Sequence, residues 1–259
     1  MTALRVAVFN IVFYAATFFW AMYIAIACRI VSPDRVRRMI RSWCLWVRGW
    51  VRVGLGARIE IQGRENIPDV PYVLAPKHQS ELDVCMIFGE HSDAGAVVMK
   101  ELADLPFLGK LIEKLDMVSV SVEHGPQGAT QAIREGAKRV MAQGRPMLIY
   151  PEGELMALGA HARYKHGVFH IYEATGAPVL PVAQSLGAVW PKREWRKKPG
   201  HSCAIRYLEP IPPGLGEEEF MARLENAVET ATMDLIRQHA TGEELRLAED
   251  RYARGVGNE

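Results

Sequence analysis

The chain is poor in cysteine and in net charge, and each shortage excludes a class of protein. Its four cysteines, Cys28, Cys44, Cys85 and Cys203, show no paired spacing and no cluster with histidine. We expect free thiols in a reducing compartment, and therefore neither a disulfide framework nor a zinc site. The formal net charge of the 259 residues is only +1, so no global basic field points to a nucleic-acid partner.

Charged side chains are missing altogether from Val6 to Cys28, a run of 23 residues. An apolar run of this length can cross the hydrocarbon core of a membrane. A cleaved signal peptide is a poor alternative, because the run is too long and only Arg5 provides a cationic lead. A buried core helix at a terminus is rarely this long and this apolar. The sequence leaves open whether the helix spans the bilayer or enters one leaflet.

The segment from Arg29 to Arg52 is strongly basic, with seven arginines against the single Asp34. Basic segments stay on the cytoplasmic side, so we expect the rest of the chain at the cytoplasmic face of the cell inner membrane. A helix over 34–53 would carry arginines on one face and tryptophans on the other, which suits the headgroup region. The alternative is that the tryptophans pack on the protein itself, and both can hold in part. The membrane-interface candidates are Trp43, Trp46, Trp50, Arg37, Arg41 and Arg48.

From Gly54 onward, short β-like runs alternate with helical stretches, which is typical of an α/β fold. Strands are predicted at 58–62, 70–75, 94–99, 117–122, 146–150, 177–183 and 203–208. Helices are predicted from Glu81 and at 105–115, 130–143, 167–175 and 218–239. We expect a mixed, mainly parallel sheet flanked by helices. The predicted organisation is a membrane-associated two-helix segment at 1–53 (helices 6–28 and 34–53), an α/β domain at 54–240 and a charged, frayed tail at 241–259.

His78 and Asp83 form the most informative motif, directly after an apolar run that ends in Pro76. Neighbours on a helix face are three or four residues apart, so a spacing of five fits His78 in a loop and Asp83 in the first helical turn. Ser80 is then the expected N-cap, with Asp83 closing a capping box. The carboxylate can orient one imidazole nitrogen and leave the other free as a general base.

Other polar segments also follow predicted strands: Lys100-Glu101, Pro151-Glu152-Gly153 and Gln184-Ser185. In open α/β sheets, chemistry collects beyond the carboxyl ends of the strands. We therefore expect these segments and Lys77-His78 to line one crevice.

These residues resemble the PlsC-type lysophosphatidate acyltransferase family of glycerolipid acyltransferases. His78-Gln79-Ser80-x-x-Asp83 resembles the family's first block, N-H-Q-S-x-x-D, and Tyr150-Pro151-Glu152-Gly153 resembles the third, F-P-E-G-T-R. Leu180-Pro181-Val182-Ala183 resembles the fourth block, V-P-V-A. Lys100-Glu101-Leu102 and Pro106-Phe107-Leu108-Gly109 resemble the segment between the first two blocks. Four blocks in order are far more specific than any one of them.

The resemblance implies the glycerolipid acyltransferase fold and transfer of a fatty acyl group to the hydroxyl of a lysophospholipid. The implied donor is acyl carrier protein or coenzyme A thioester, and the implied acceptor is 1-acyl-sn-glycerol-3-phosphate, which gives phosphatidic acid. His78 is the implied general base and Asp83 its orienter. Such a transfer needs no further cofactor. The implied acceptor-binding residues are Glu152, Gly153, Lys100, Arg163, Lys165 and Glu154.

The chain departs from the family where the acceptor would bind. The second block, Met117 to Val122, contains no arginine, and the third continues as Glu154-Leu155 instead of Thr-Arg. Family arginines there are associated with the acceptor's phosphate, which Glu154 would repel. Either the cations named above replace them, or the acceptor lacks a phosphate monoester, as in a zwitterionic lysophospholipid or a lyso-aminolipid. Lys77, in place of the family's Asn, is expected to be tolerable at a loop position.

Two other function classes remain open. A catalytically decayed lipid-binding membrane protein is favoured by the missing arginines. A hydrolase using Cys85 or Ser80 is a more distant possibility, because Cys85 lies in an apolar helical run typical of a structural thiol. His166 and His170 have the spacing of a helical ligand pair, but no third ligand is visible, and no metal is expected.

Overall fold

A computed structural model describes residues 2–105, 108–120 and 125–256. Within these residues, every predicted strand is found, with bounds that differ by a few residues from those expected. Ser121 and Val122, at the end of the predicted fourth strand, lie outside the described residues. The strands are β1 (Arg58–Gln62), β2 (Val73–Pro76), β3 (Gly95–Met99), β4 (Val118–Val120), β5 (Met147–Leu148), β6 (Val179–Gln184) and β7 (Ser202–Tyr207).

The strands form one sheet in the order β1-β7-β6-β2-β5-β3-β4. Neighbouring strands are parallel except β6 and β7, which pair antiparallel. The prediction of a mixed, mainly parallel sheet is confirmed. Every residue of β2 and β6 is buried, as expected for strands covered by helices on both faces.

Helices cover both faces of the sheet. They are α1 (Thr2–Ala27), α2 (Pro33–Trp50), α3 (Leu82–Glu90), α4 (Lys100–Ala103), α5 (Leu108–Lys114), α6 (Gly125–Met141), α7 (Gly167–Thr175), α8 (Glu217–His239) and α9 (Gly242–Arg254). Alternation along β2 sends Leu74 into a core shared with α1, α2 and α3, and sends Val73 into a core shared with α6, α7 and α8. The α/β architecture is therefore a three-layer one. Short 3₁₀ turns lie at Arg64–Asn66 and Leu186–Ala188, and a π-helical turn at Val51–Leu55 follows α2.

The predicted helix at 105–115 is only partly correct. The structure has a short helix, α4, before it and begins α5 at Leu108. Pro106 and Phe107, which belong to the motif quoted above, lie outside the described residues.

The prediction of a frayed tail after Thr241 is wrong, because residues 242–254 form α9. Leu245, Ala248 and Tyr252 lie three and four residues apart and pack with Leu158 in a small apolar cluster. Ala248 is fully buried, and its backbone lies so close to Gly159 that a Cβ there would meet the Ala248 carbonyl oxygen at 2.2 Å. Charged residues outnumber the apolar residues of this segment, so the narrow apolar stripe is not evident from the sequence.

The helix α1 is long and apolar enough to cross a membrane, by length and composition, with a mean hydropathy of 1.7 over the Ala3–Ala27 segment. One side packs on the protein, where Phe9 and Phe13 meet Trp190 edge to face at 5.7 and 4.9 Å. The other side exposes a row of large apolar residues that includes Leu4, Ile11, Phe18, Phe19, Tyr23 and Ile26.

The tryptophan face of α2 packs on the protein's own helices. Trp50 stacks on Phe9 and on Trp46, at centroid distances of 6.0 and 6.2 Å, and its indole N–H donates to the Phe9 carbonyl. Trp43 is half-buried and packs against the same hydrophobic core, which contains Phe9. Packing on the protein, one of the two alternatives for these tryptophans, is thus present, and their role at a membrane interface stays a prediction.

Candidate active site

The loop between β2 and α3 is shaped by the capping interaction predicted for Ser80 and Asp83. The Ser80 hydroxyl oxygen accepts from the Leu82 amide at 3.1 Å, and Oδ2 of Asp83 accepts from the Ser80 amide at 3.0 Å. Oδ2 also accepts from the Gln79 amide at 2.7 Å. These reciprocal hydrogen bonds are those of the predicted capping box, although α3 begins one residue later than expected, at Leu82, with Glu81 in the N-cap position. They turn a fully buried carboxylate back toward the loop.

His78 lies within hydrogen-bonding distance of that carboxylate. Nδ1 of His78 is 3.1 Å from Oδ2 of Asp83, and the imidazole is 20% exposed while the carboxylate is 0% exposed. Burial raises the pKa of Asp83, although hydrogen bonds from His78 and the loop amides lower it. With the Nδ1 proton donated to Asp83, Nε2 of a neutral His78 is free to accept a proton.

The aromatic ring of Tyr150 stacks on this imidazole, with ring centroids 4.0 Å apart and planes inclined by 25°. Tyr150 directly precedes the Pro151-Glu152-Gly153 turn. The predicted convergence of strand-end segments is therefore found in part, with the turn after β5 lying against the loop after β2. The Gln184 side chain also reaches this loop, at the Lys77 carbonyl, whereas Lys100 borders a cleft with other residues.

Glu152 holds the His78 loop through hydrogen bonds. Its Oε2 accepts from the His78 amide at 3.2 Å, and its Oε1 accepts from Nζ of Lys77 at 2.6 Å and from the Ala162 amide at 3.3 Å. Burial is the main reason why the pKa of Glu152 is raised to about 7, and the nearby carboxylate of Glu229 raises it further while Lys77 lowers it.

Lys77 is not the surface loop residue that the sequence suggested. Its side chain is 0% exposed and lies between Glu152 and Glu229, at 2.6 and 2.9 Å. Glu229 was missed altogether. The available signal was a glutamate on the buried side of an amphipathic helix, next to Val228 in α8.

The turn at Gly153 needs a glycine. Gly153 has φ +69°, and a Cβ there would meet Nζ of Lys165 at 2.5 Å. The Lys165 side chain thus lies over the turn, and its backbone amide donates to the Pro151 carbonyl at 2.8 Å. Of the predicted acceptor cations, this is the one that the structure brings to the third block.

The remaining acceptor candidates, Arg163, Glu154 and Lys100, lie in other surroundings. Arg163 and Glu154 are exposed, and in the described part of the chain no hydrogen bond or ion pair joins either to His78, Asp83 or Glu152. Lys100 follows β3, pairs with Asp104 at 2.7 Å and borders a cleft of about 410 Å³ with Ser119.

The basic candidates on α2 differ in their availability. Arg48 pairs with Glu90 of α3 at 3.0 Å, and Arg37 pairs with Asp34. Arg41 is exposed. One of the three predicted arginines is therefore tied to the α/β part of the protein.

Neither Cys85 nor Ser80, the two candidate nucleophiles of a hydrolase, is free to react. Cys85 is buried, and a hydrogen bond with the Cys44 thiol, together with burial, holds its thiol pKa well above the usual value. The Ser80 hydroxyl donates to the Trp190 carbonyl at 2.7 Å and is fully buried. Both side chains are thus occupied in structure.

Comparison with known proteins points in one direction. The family model described as Acyltransferase matches residues 58–185, which include His78, Asp83 and Glu152. The chain is 30% identical over 199 residues to a 1-acyl-sn-glycerol-3-phosphate acyltransferase of Pseudomonas aeruginosa, covering 76% of this chain and 77% of the relative. It is 23% identical over 241 residues to the Homo sapiens 1-acyl-sn-glycerol-3-phosphate acyltransferase alpha, covering 90% and 82%.

The same fold occurs in a solved structure. The crystal structure of the 1-acyl-sn-glycerophosphate acyltransferase PlsC from Thermotoga maritima superposes with a TM-score of 0.72 at 23% identity, covering 91% of this chain and 98% of that one. The expected glycerolipid acyltransferase fold is confirmed.

Proposed function

The chain belongs to the acyltransferase family that includes the 1-acyl-sn-glycerol-3-phosphate acyltransferases, and from this premise we propose its reaction. It transfers a fatty acyl group from an acyl carrier protein or coenzyme A thioester to the hydroxyl of 1-acyl-sn-glycerol-3-phosphate. The products are phosphatidic acid and the free thiol. The observation that supports this best is the His78–Asp83 contact at 3.1 Å within a loop held by Glu152.

In the proposed mechanism, Nε2 of His78 removes the proton of the acceptor hydroxyl as the oxygen attacks the thioester carbonyl. The tetrahedral intermediate then collapses, the carbon–sulfur bond breaks, and the imidazolium returns its proton to the thiolate. Asp83 stabilises the imidazolium between these steps and fixes the ring by accepting from Nδ1. The acceptor attacks directly, so no protein nucleophile is needed.

We assign the acceptor's phosphate to Lys165, with Arg163 and Lys100 as further cations. Lys165 is exposed and lies over Gly153, in the block where the family arginine is replaced by Leu155. An ammonium can attract a phosphate monoester as a point charge, without the bidentate geometry that arginine offers.

A second candidate is an acyltransferase whose acceptor lacks a phosphate monoester. Two family arginines are absent, and Glu154 is exposed in the turn. A lyso-aminolipid could place its amine at Glu154, whereas a phosphate would be repelled.

Acyl transfer by the purified enzyme in mixed micelles separates these candidates. Equal amounts of lysophosphatidate, a zwitterionic lysophospholipid and a lyso-aminolipid compete for one labelled acyl donor, supplied as a coenzyme A or an acyl carrier protein thioester. We expect phosphatidic acid as the main product and a raised KM for lysophosphatidate in Lys165→Met. Main transfer to the aminolipid, with improved use of lysophosphatidate in Glu154→Thr, would favour the second candidate. No transfer to any acceptor would favour a lipid-binding protein.

We further propose that the enzyme works at the cytoplasmic face of the cell inner membrane, with α1 embedded in one leaflet. The N-terminal half of α1 is fixed to a charged loop, because the Asn10 side chain donates to the Trp195 carbonyl at 2.9 Å, next to Arg196. A helix that spanned the bilayer would draw this loop into hydrocarbon, which is costly. A cysteine introduced by Ala3→Cys should then react with an impermeant thiol reagent from the side of the catalytic domain. Reaction only from the opposite side would contradict this.

A further inference from the structure

The ammonium group of Lys77 is completely enclosed, and each of its three N–H donors has an acceptor. Nζ donates to Glu152 Oε1 at 2.6 Å, to the Ala160 carbonyl at 2.9 Å and to the Glu229 carboxylate at 2.9 and 3.0 Å. A lysine has three such donors, so the group is fully satisfied. Its backbone is fixed as well, since the Lys77 amide donates to Val182 and its carbonyl accepts from the Gln184 side chain.

Glu229 reaches this cluster from α8, 152 residues further along the chain. The Tyr164 hydroxyl donates to Glu229 Oε1 at 2.8 Å and leaves the carboxylate with little freedom. Glu229 is thus held on one side by a buried tyrosine and on the other by Lys77.

Buried ion pairs are weak contributors to stability, because desolvation offsets most of their attraction. Stability alone therefore does not explain why one cation and two carboxylates are enclosed here. The geometry supplies a different reason. Lys77 attracts Oε1 of Glu152, and the other oxygen of the same carboxylate faces the amide of His78.

We propose that Lys77 and Glu229 are positioning residues for the acyl-transfer site. Lys77 fixes the rotamer of Glu152, which fixes the backbone at His78 and thereby the contact between His78 and Asp83. Glu229 holds the Lys77 ammonium in place from α8. Neither residue touches the substrates. The inference rests on the proposed function, in which His78 is the general base.

The test uses Lys77→Met, Glu229→Gln and the double variant in the full-length enzyme. Lys77→Met keeps the length and burial of the side chain but releases Glu152. We expect kcat to fall by about 100-fold with KM changed by less than about threefold, as for a catalytic group displaced by a fraction of an ångström to one ångström. The matched control, Lys198→Met with Glu244→Gln, removes another Lys–Glu pair, at the edge of α9, and should leave kcat unchanged.

The double variant separates positioning from structure. Lys77→Met leaves two carboxylates without their cation and should lower Tm, and adding Glu229→Gln should restore much of that Tm. If Lys77 positions Glu152, kcat stays low in the double variant. Recovery of kcat in parallel with Tm, or a Lys77→Met enzyme with nearly wild-type kcat, would overturn the proposal.

The pH profile gives a second readout. The charged or polar side chains around Glu152 and Glu229 include Lys77, Tyr164 and Glu225. Glu229 raises the pKa of Glu152, whereas Lys77 lowers it. The acid limb of kcat should therefore move to lower pH in Glu229→Gln and to higher pH in Lys77→Met. A limb that does not move in either variant counts against positioning through Glu152.

A third readout does not depend on activity. Nitrogen-15 chemical shifts of histidine, assigned with His78→Ala, report which ring nitrogen of His78 bears the proton. We expect an Nδ1–H tautomer in the wild type and a mixture of tautomers in Lys77→Met. An unchanged tautomer would contradict the inference even if the acyl-transfer reaction itself proved wrong. Conversely, an inactive wild type with a Lys77-dependent tautomer would refute only the proposed reaction.

Discussion

Substitution of Asp83 by Asn removes the charge beneath His78 while keeping the shape of the side chain. Oδ2 of Asp83 accepts from Nδ1 of His78 at 3.1 Å and from the Gln79 and Ser80 amides. The carbonyl oxygen of an asparagine can keep all three hydrogen bonds. What disappears is the attraction between carboxylate and imidazolium, which in the proposed mechanism arises when His78 takes the acceptor's proton.

The size of that loss follows from the geometry. Two unit charges 3.1 Å apart attract each other by about 5 kcal/mol at an effective dielectric constant of about 20. A hydrogen bond to a charged group contributes about 1.5–3 kcal/mol in measured series. The carboxylate is fully buried but the imidazole is 20% exposed, which screens part of the attraction. We therefore expect Asp83→Asn to raise the activation free energy by about 2–4 kcal/mol, which corresponds to a fall in kcat of about 30- to 1,000-fold.

The test measures kcat for acyl transfer in mixed micelles at saturating donor and acceptor, and Tm on the same samples. Because burial raises the pKa of Asp83, the ionised carboxylate is disfavoured in the folded protein, and we expect no fall in Tm for Asp83→Asn at pH 8. Asp69→Asn, at an exposed position, is the matched control. A kcat above half the wild-type value, or a loss confined to KM, would refute the assignment of Asp83.

Three further predictions concern stability around the site. Gly153→Ala should lower the free energy of unfolding by about 1–3 kcal/mol and reduce activity. The control is Gly144→Ala, at a similar φ of +75° but with open space around it, which should lower the free energy of unfolding only by the backbone strain. Equal effects of the two substitutions would contradict the contact of Lys165 over the Gly153 turn. Burial raises the pKa of Glu152 to about 7, so its contribution to stability is full at low pH and is lost as pH rises through 7. The excess stability of the wild type over Glu152→Gln should thus grow by at most about 1.4 kcal/mol per pH unit as pH falls from 7 toward 5, and a difference independent of pH in chemical denaturation would refute this. Ala248→Glu should destabilise the protein by about 2 kcal/mol or more. The control, Ala253→Glu on the exposed face of α9, should not destabilise it. Equal Tm values for the two variants would show that α9 does not pack against the rest of the protein.

The features that the sequence predicts well depend on local chemistry. Periodicity finds the strands and most helices, since burial on one or both faces imposes it. The His78–Asp83 contact is predictable because a capping box within six residues brings the two side chains together.

The features that were missed depend on distant segments. Lys77 and Glu229 meet across the whole α/β domain, and a single sequence gives no sign that a loop lysine is enclosed. The helix α9 depends on a close backbone approach at Gly159, which no periodicity reports. The π stacking of Tyr150 on His78 likewise requires two strand ends to be adjacent in the sheet.

The most direct test of the proposed reaction measures free thiol and phosphatidic acid together. Purified wild-type protein is incubated with lysophosphatidate and an acyl thioester, beside His78→Ala. We predict equal molar amounts of thiol and phosphatidic acid from the wild type, and neither above background from His78→Ala. Thiol release without phosphatidic acid, or unchanged transfer by His78→Ala, would contradict the account.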